Sequence, residues 1–278
     1  MCPPKTKREM NILSVSVSSD PLDIGRISPI PGKKIYGIMI KANNMRDTID
    51  GLYEAAEEGG IKIRYVQFLM PKSKDEDLRA VAFLDFTNAE ISSEQALEIL
   101  KNKAIKDLRL IKPGETDVVL DMYFFPLKMG KERAVIFGRW LYKGLLVGIR
   151  EQFGSAGEAF LYYAGYNAGK NAYELSAKLV QEGEIETMGK MMKALSLMLG
   201  WAVIKKAEIN SKRKIAYLRL YDNFECELGK GSQKPYSHFI RGFVAGFFSC
   251  LFGEEVEVEE TKCIAKGDKH CEFKVKKI

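Results

Sequence analysis

Two cysteines with a turn between them are the residues in this sequence best placed for chemistry. Val256 to Cys263 and Cys271 to Val275 each alternate like a strand, and Gly267-Asp268 lies between them at a hairpin turn. A hairpin brings its flanking residues together across the ladder. The pair Cys263 and Cys271 therefore reads as a metal clip, a disulfide, or two small apolar residues that happen to pack together. His270 lies in the same stretch, and the chain has one other histidine, His238.

Little else points to catalysis. Nucleophilic catalysis needs a base beside a serine or cysteine, and two histidines leave few such pairings. No GxSxG elbow, phosphate-binding glycine loop or GxGxxG after a strand is present. The carboxylates of Glu254 to Glu260 alternate on a strand and read as a solvated face, as do Asp47, Asp50, Glu54, Glu57 and Glu58 on a helix. No catalytic residue is named from the sequence.

The elements that must position the hairpin read in two blocks. Residues 1–31 form an N-terminal arm rich in proline and serine, with room for a short strand at Val15 and Val17. Residues 32–126 then alternate in type. Ile35–Ile40 reads as a strand, Met45–Glu58 as a helix stopped by Gly59-Gly60, and Ile61–Met70 as a strand stopped by Pro71. Ala80–Phe86 is a third strand. A helix over Glu94–Lys103 follows, capped by Ser92 or Ser93 and with Ala104 on its apolar side, and Ile105–Ile111 is a fourth strand. This βαββαβ order is the ferredoxin-like plan. It resembles the ACT-type regulatory domains, although the first loop, Ala42-Asn43-Asn44, lacks the glycine through which that family admits a ligand. Pro113 to Asp117 is a turn, and Val118–Phe125 reads as a strand before the boundary at Pro126.

Residues 127–278 are organised differently. Helices are expected over Arg133–Phe153, Gly157–Val180, Ile185–Leu199 and Tyr236–Phe252. Strands are expected over Trp201–Glu208 and Lys214–Tyr221, around a basic turn. Glycines inside the first two helices cost about 1 kcal/mol each relative to alanine, so they imply close approach of another helix or a ligand.

Gly242-Phe243-Val244-Ala245-Gly246-Phe247, then Gly253, Glu260, Cys263, Gly267-Asp268, Cys271 and Phe273, resemble the 4-vinyl reductase-like domain. Similar domains serve as sensors in phenol- and xylene-responsive activators. The resemblance spans about Val135 to Val275. It implies an α+β chain in which the ferredoxin-like domain precedes a mixed α/β sensor domain of the type shared by nitric-oxide-signalling and Golgi-transport proteins. It also implies a structural zinc whose ligands carry over onto Glu260, Cys263 and Cys271. The fourth family position falls on Ser237, a poor zinc ligand, and His238 beside it is the expected substitute, with Cys226 and His270 as further candidates.

The function expected from this resemblance is a cytoplasmic sensor that binds a small hydrophobic ligand, aromatic or acyl, and signals through a homodimer to an unidentified protein partner. Trp140, Tyr162, Tyr163, Tyr166, Phe243 and Phe247 are the candidate pocket residues, against the plain alternative of solid core. The rival is a structural scaffold without ligand. A reductase is disfavoured, because nothing in the sequence is built to bind nicotinamide or flavin. No apolar run approaches the roughly 20 residues that span a bilayer, and no signal-peptide core follows Met1–Met10. A cytoplasmic setting disfavours the disulfide. Net charge is +6, from 43 Lys and Arg against 37 Asp and Glu, in short scattered clusters rather than the stripe a nucleic-acid partner needs. Abundant Lys and Glu lean towards a thermophilic or archaeal source.

Overall fold

The computed structural model describes residues 21–278 apart from 30–31, 74, 104, 114–117 and 181–184. Most of the N-terminal arm, Ala104 and most of the turn after Pro113 fall outside those residues. Contacts divide the chain into two compact units, one ending at Val135 and the other running from Ile136 to Ile278.

The first unit contains β1 (Ile27–Pro29), β2 (Ile35–Ala42), α1 (Met45–Gly59), β3 (Lys62–Leu69), β4 (Leu78–Asp85), α2 (Ser93–Lys101) and β5 (Ile105–Ile111). The short strands β6 (Val118–Leu120), β7 (Lys128–Met129) and β8 (Glu132–Arg133) follow. The main sheet has the order β3-β4-β2-β5, antiparallel throughout, which is the ferredoxin-like arrangement. Local chemistry sets the helix ends. The Asn44 side chain accepts from the Asp47 N–H and starts α1, and Gly60 closes it in the left-handed region at φ 62°. Ser92 and Gln95 form a reciprocal capping box on α2. The loop residue Asn44 thus serves as a helix cap. Leu52, Ala55, Ala96 and Leu100 pack on Ile38, Ile40 and Leu84 of the sheet. On the opposite face Ile35, Val81, Phe83 and Ile111 lie under Val119 and Phe124.

The strand expected over Val118–Phe125 stops at Leu120. Asp121 turns the chain there. Its carboxylate accepts from the Tyr123 and Phe124 amides and pairs with Arg26 at 3.2 Å. The helix expected from Arg133 begins at Arg139, because Glu132 and Arg133 pair with β7.

The second unit runs α3 (Arg139–Val180), α4 (Ile185–Met198), β9 (Val203–Asn210), β10 (Ile215–Tyr221), α5 (Phe224–Leu228), α6 (His238–Phe252), β11 (Val256–Lys262) and β12 (Cys271–Lys277). A 3-10 turn at Ile264–Lys266 joins the last two strands, and Gly267 leaves it at φ 98°. The sheet order is β11-β12-β10-β9, and each pair is antiparallel. Its inward residues, among them Leu218, Leu220, Val258, Phe273 and Val275, meet Val244, Phe247 and Phe248 of α6. Gly154, at φ 55° and ψ −130°, breaks α3 into limbs 139–153 and 155–180.

The second limb lies parallel to α6 at very short range. A Cβ on Gly165 would stand 2.0 Å from the Phe239 carbonyl oxygen, and one on Gly246 1.9 Å from that of Tyr166. Gly169 and Gly242 are equally tight. These glycines are therefore spent on helix–helix approach, and the two backbones touch where a side chain would otherwise separate them.

Candidate metal centre

Strand alternation delivers three of the four residues. Val256, Val258 and Glu260 face inward on β11, so the glutamate occupies a place the pattern would give to an apolar side chain. Cys271 opens β12 on the same inward set as Phe273 and Val275. Cys263 sits at the end of the hairpin, held by its amide donating to Asp268 Oδ2 at 2.8 Å. This explains the Gly-Asp turn: glycine permits the left-handed step and aspartate ties the loop back.

The fourth residue is Cys226, from the single turn of α5. Asn223 starts that turn by accepting from the Glu225 amide at 3.1 Å. The ligand-capable atoms of Cys226, Glu260, Cys263 and Cys271 all lie within 4.8 Å of one another, and all four residues are buried. Cys226 Sγ is 3.4 Å from Cys263 Sγ and 3.6 Å from Glu260 Oε1. Two sulfurs on a tetrahedral zinc with bonds of about 2.3 Å stand about 3.8 Å apart, so this donor set fits such an ion. A buried carboxylate among three thiols is costly without a cation, which is a second sign of fit.

Ser237, the expected fourth position, is present beside the cluster but as a neighbour. Its Oγ is 2.8 Å from Cys226 Sγ and accepts from Asn223 Nδ2, and its amide donates to Glu260 Oε2 at 3.1 Å. Asn223 Nδ2 also reaches Cys271 Sγ at 3.6 Å. His238 points elsewhere: Nε2 is 3.5 Å from Glu158 and Nδ1 3.4 Å from Arg150. His270 lies 3.6 Å from Glu272 and against the Tyr221 ring. The structure thus brings Glu260, Cys263 and Cys271 together and adds Cys226, with both histidines outside the cluster.

The electrostatics follow from crowding. Hydrogen bonds from Cys226 and Cys271 hold the Cys263 thiol far below its ordinary range. Cys226 is pushed far up, first by its hydrogen bond to Cys263. The hydrogen bond with Cys226 draws Cys271 down, but that with Cys263 and burial push it up more strongly. Burial, followed by the charge on Cys263, raises Glu260 to about 8. Burial and mutual hydrogen bonding thus oppose ionisation of Cys226, Glu260 and Cys271 and favour it at Cys263. A divalent cation would reverse that by favouring the deprotonated donors.

Next to Cys226, the fully buried Glu225 binds the start of α6. It accepts from the Phe239 and Ile240 amides at 3.0 and 2.8 Å and pairs with Arg150 of the first α3 limb. Arg150 also donates to the Tyr236 carbonyl at 2.9 Å and lies over the Tyr236 ring. Neither residue stood out in the sequence, because an Arg and a Glu 75 positions apart give no local signal.

The aromatic candidates separate. Phe243 joins a half-buried group in which Trp201 lies 5.2 Å from Phe243, 5.7 Å from Phe239 and 5.9 Å from Phe224, and Tyr142 meets Phe224 at 5.4 Å. Phe247 is in the solid core, and Tyr162 and Tyr166 pack at its margin. Trp140 and Tyr163 are exposed.

Sequence comparison bears on the sheet and the cluster together. Residues 216–277 match the vinyl-4-reductase domain family. The matched segment takes in β10 through β12 and therefore all four cluster residues. An uncharacterised protein of Methanocaldococcus jannaschii, MJ1642, is 28% identical over 130 residues, 47% of this chain and 71% of that protein. A second one, MJ0150, is 29% identical over 43% of this chain and 64% of its own length. The phenol regulator MopR of Acinetobacter guillouiae is 27% identical over 126 residues, 40% of this chain and 21% of the regulator. Among solved structures, the phenol-responsive sensory domain of PoxR with phenol aligns at TM-score 0.48 and 19% identity, covering 54% of this chain and 79% of that one. A Methanocaldococcus jannaschii vinyl-4-reductase family protein aligns at TM-score 0.36 and 20% identity, covering 54% and 85%. No helix among the described residues is long and apolar enough to cross a membrane.

Proposed function

We propose that this chain is a cytoplasmic sensor in which residues 127–278 bind a small hydrophobic ligand, aromatic or acyl, and residues 32–126 relay the response. The observation that carries the reading is the half-buried ring group of Trp201, Phe224, Phe239, Phe243 and Tyr142. Three of its rings, Phe224, Phe239 and Phe243, lie inside the segment that matches the vinyl-4-reductase domain. An apolar wall with a few edge hydroxyls is the usual make-up of a small-molecule site. The kinship with a phenol regulator supports the same class of ligand. Signal output runs through a homodimer and a further protein partner.

The buried cluster serves as a structural zinc site in this reading, held by Cys226, Glu260, Cys263 and Cys271. Bound there, zinc supplies a cross-link between α5 and the β11–β12 hairpin and leaves no open position for chemistry. Cys226 then fixes α5, and with it Glu225 at the start of α6 and the ring of Phe224.

A scaffold without ligand is the second reading. It is favoured by the glycine contacts, which leave no space between the second α3 limb and α6. Native mass spectrometry separates the two readings. A co-purified hydrophobic molecule, or a mass shift with phenol or palmitate, supports the sensor. An empty chain that no hydrophobic ligand stabilises supports the scaffold.

A further inference from the structure

The rings of the proposed ligand site already touch. Trp201 stands 5.9, 5.7 and 5.2 Å from Phe224, Phe239 and Phe243, which is contact distance for aromatic pairs. A ligand therefore reaches their faces by displacing one of the surrounding walls. The second α3 limb and α6 are fixed, because their backbones meet at Gly165, Gly169, Gly242 and Gly246. α5 is held by Cys226 in the buried cluster and by the Asn223 cap at its start. The first α3 limb is held more lightly. Among residues 139–153, all of them described, Leu146 alone is buried. A Cβ built at Gly144 or Gly148 would meet nothing within 4 Å, and two interior glycines weaken the helix itself.

This limb is seated on α5 through three residues. Tyr142 meets Phe224 edge-on at 5.4 Å, Arg150 pairs with Glu225, and Arg139 lies 3.8 Å from Glu227. At its far end Gly154, with φ 55° and ψ −130°, adopts a backbone geometry that side chains avoid. The chain bends sharply there, since a Cβ on Gly157 would stand 2.4 Å from the Ile149 carbonyl oxygen.

We infer that the first limb of α3 is a lid over the ring group, hinged at Gly154 and latched by Arg150 on Glu225. The latch is built to release. Glu225 is fully buried, and besides Arg150 it holds the Phe239 and Ile240 amides. When the limb lifts, the carboxylate keeps both amides at the positive end of α6, a favourable place for negative charge. A buried carboxylate with Arg150 as its sole partner would instead hold the limb shut. Lifting the limb takes Tyr142 off Phe224 and uncovers the ring that stacks on Trp201. Arg150 is a positioning residue in this scheme.

The inference rests on the ring group being the ligand site and adds how that site opens. Two measurements on the full chain test it without any ligand. Hydrogen exchange of the unmodified protein should find the amides of residues 143–153 at least about a hundredfold less protected than those of 161–176. In a Trp140→Phe background, acrylamide should quench Trp201 at least about twofold more strongly after Arg150→Gln, and likewise after Gly154→Ala. Circular dichroism identifies a variant that fails to fold, and the exchange measurement then decides. Equal protection of the two limbs, or Trp201 quenching that stays unchanged in the folded variants, overturns the lid. Titration with phenol and palmitate separates the two ideas. Binding by a chain that fails the lid measurements leaves the sensor reading intact. A chain that passes them and binds neither probe keeps the moving limb and counts against the ligand site.

Discussion

Cys226 and Cys263 are 37 positions apart in the chain, and their sulfurs stand 3.4 Å apart in a buried cluster. Two more donors, Glu260 and Cys271, complete the set. Replacing Cys226 by serine should reduce zinc in protein purified without chelator from about one ion per chain to well under one. Ser237→Ala should retain the metal, because that hydroxyl lies beside Cys226 and outside the four candidate donors. Elemental analysis of the two variants checks this, and the reverse order would return the fourth position to Ser237. With zinc in the proposed site, a chelator should lower the melting temperature of the second unit, since binding to a folded metal site adds to folding free energy.

Helix contact gives a second expectation. A methyl group at Gly246 would meet the Tyr166 carbonyl at 1.9 Å, and neither backbone can yield without parting the helices. Gly246→Ala should cost about 1–3 kcal/mol or more, the usual penalty for overpacking. Ser249, on the same helix, buries a hydroxyl with no hydrogen-bond partner. Ser249→Ala should be neutral or stabilising by up to about 1 kcal/mol. Urea unfolding of both variants checks the contrast.

His238 predicts an acid limb in stability. Burial lowers its pKa below the ordinary 6.5, assisted by Arg150 and Arg241 and opposed by Glu158. As the pH falls through about 6.5, the unfolded chain takes up the proton and the folded chain resists it, so stability declines on the acid side. His238→Gln should lose less stability than wild type between about pH 8 and about pH 5. Urea midpoints at the two pH values measure this. Equal losses in both proteins would remove His238 as the cause.

Much of this was legible in local pattern. Apolar alternation located β2, β3, β4 and β5, and Ser92 marked the start of α2 because a capping box needs only four consecutive residues. The Gly-Asp turn marked the hairpin for the same reason. What escaped depends on residues brought together from far along the chain. Cys226 was a further candidate behind His238, but its place as the fourth member was hidden, because it sits on a five-residue helix too short to show periodicity and only the β10–β12 pairing carries it to Cys263 and Cys271. Side-chain type suggested His238 as a ligand, yet Arg150 and Glu158 engage it instead. The α3 and α6 glycines announced a close approach, but not that each helix was the other's partner. Likewise Trp140 and Tyr163 have the composition of a pocket wall, and only the fold shows that they face outward.

The most direct test of the sensor reading uses the chain's two tryptophans. Trp201 lies in the ring group and Trp140 is exposed, so Trp140→Phe leaves a single reporter where the ligand is proposed to bind. Phenol, an alkylated phenol and palmitate are titrated into that variant while Trp201 emission and the melting temperature are followed. The account predicts a saturable change in emission with at least one of them, accompanied by a rise in melting temperature, and both effects lost in Phe243→Ala that remains folded. Emission that does not respond to any of the three, with no stabilisation, would contradict a hydrophobic ligand at this site.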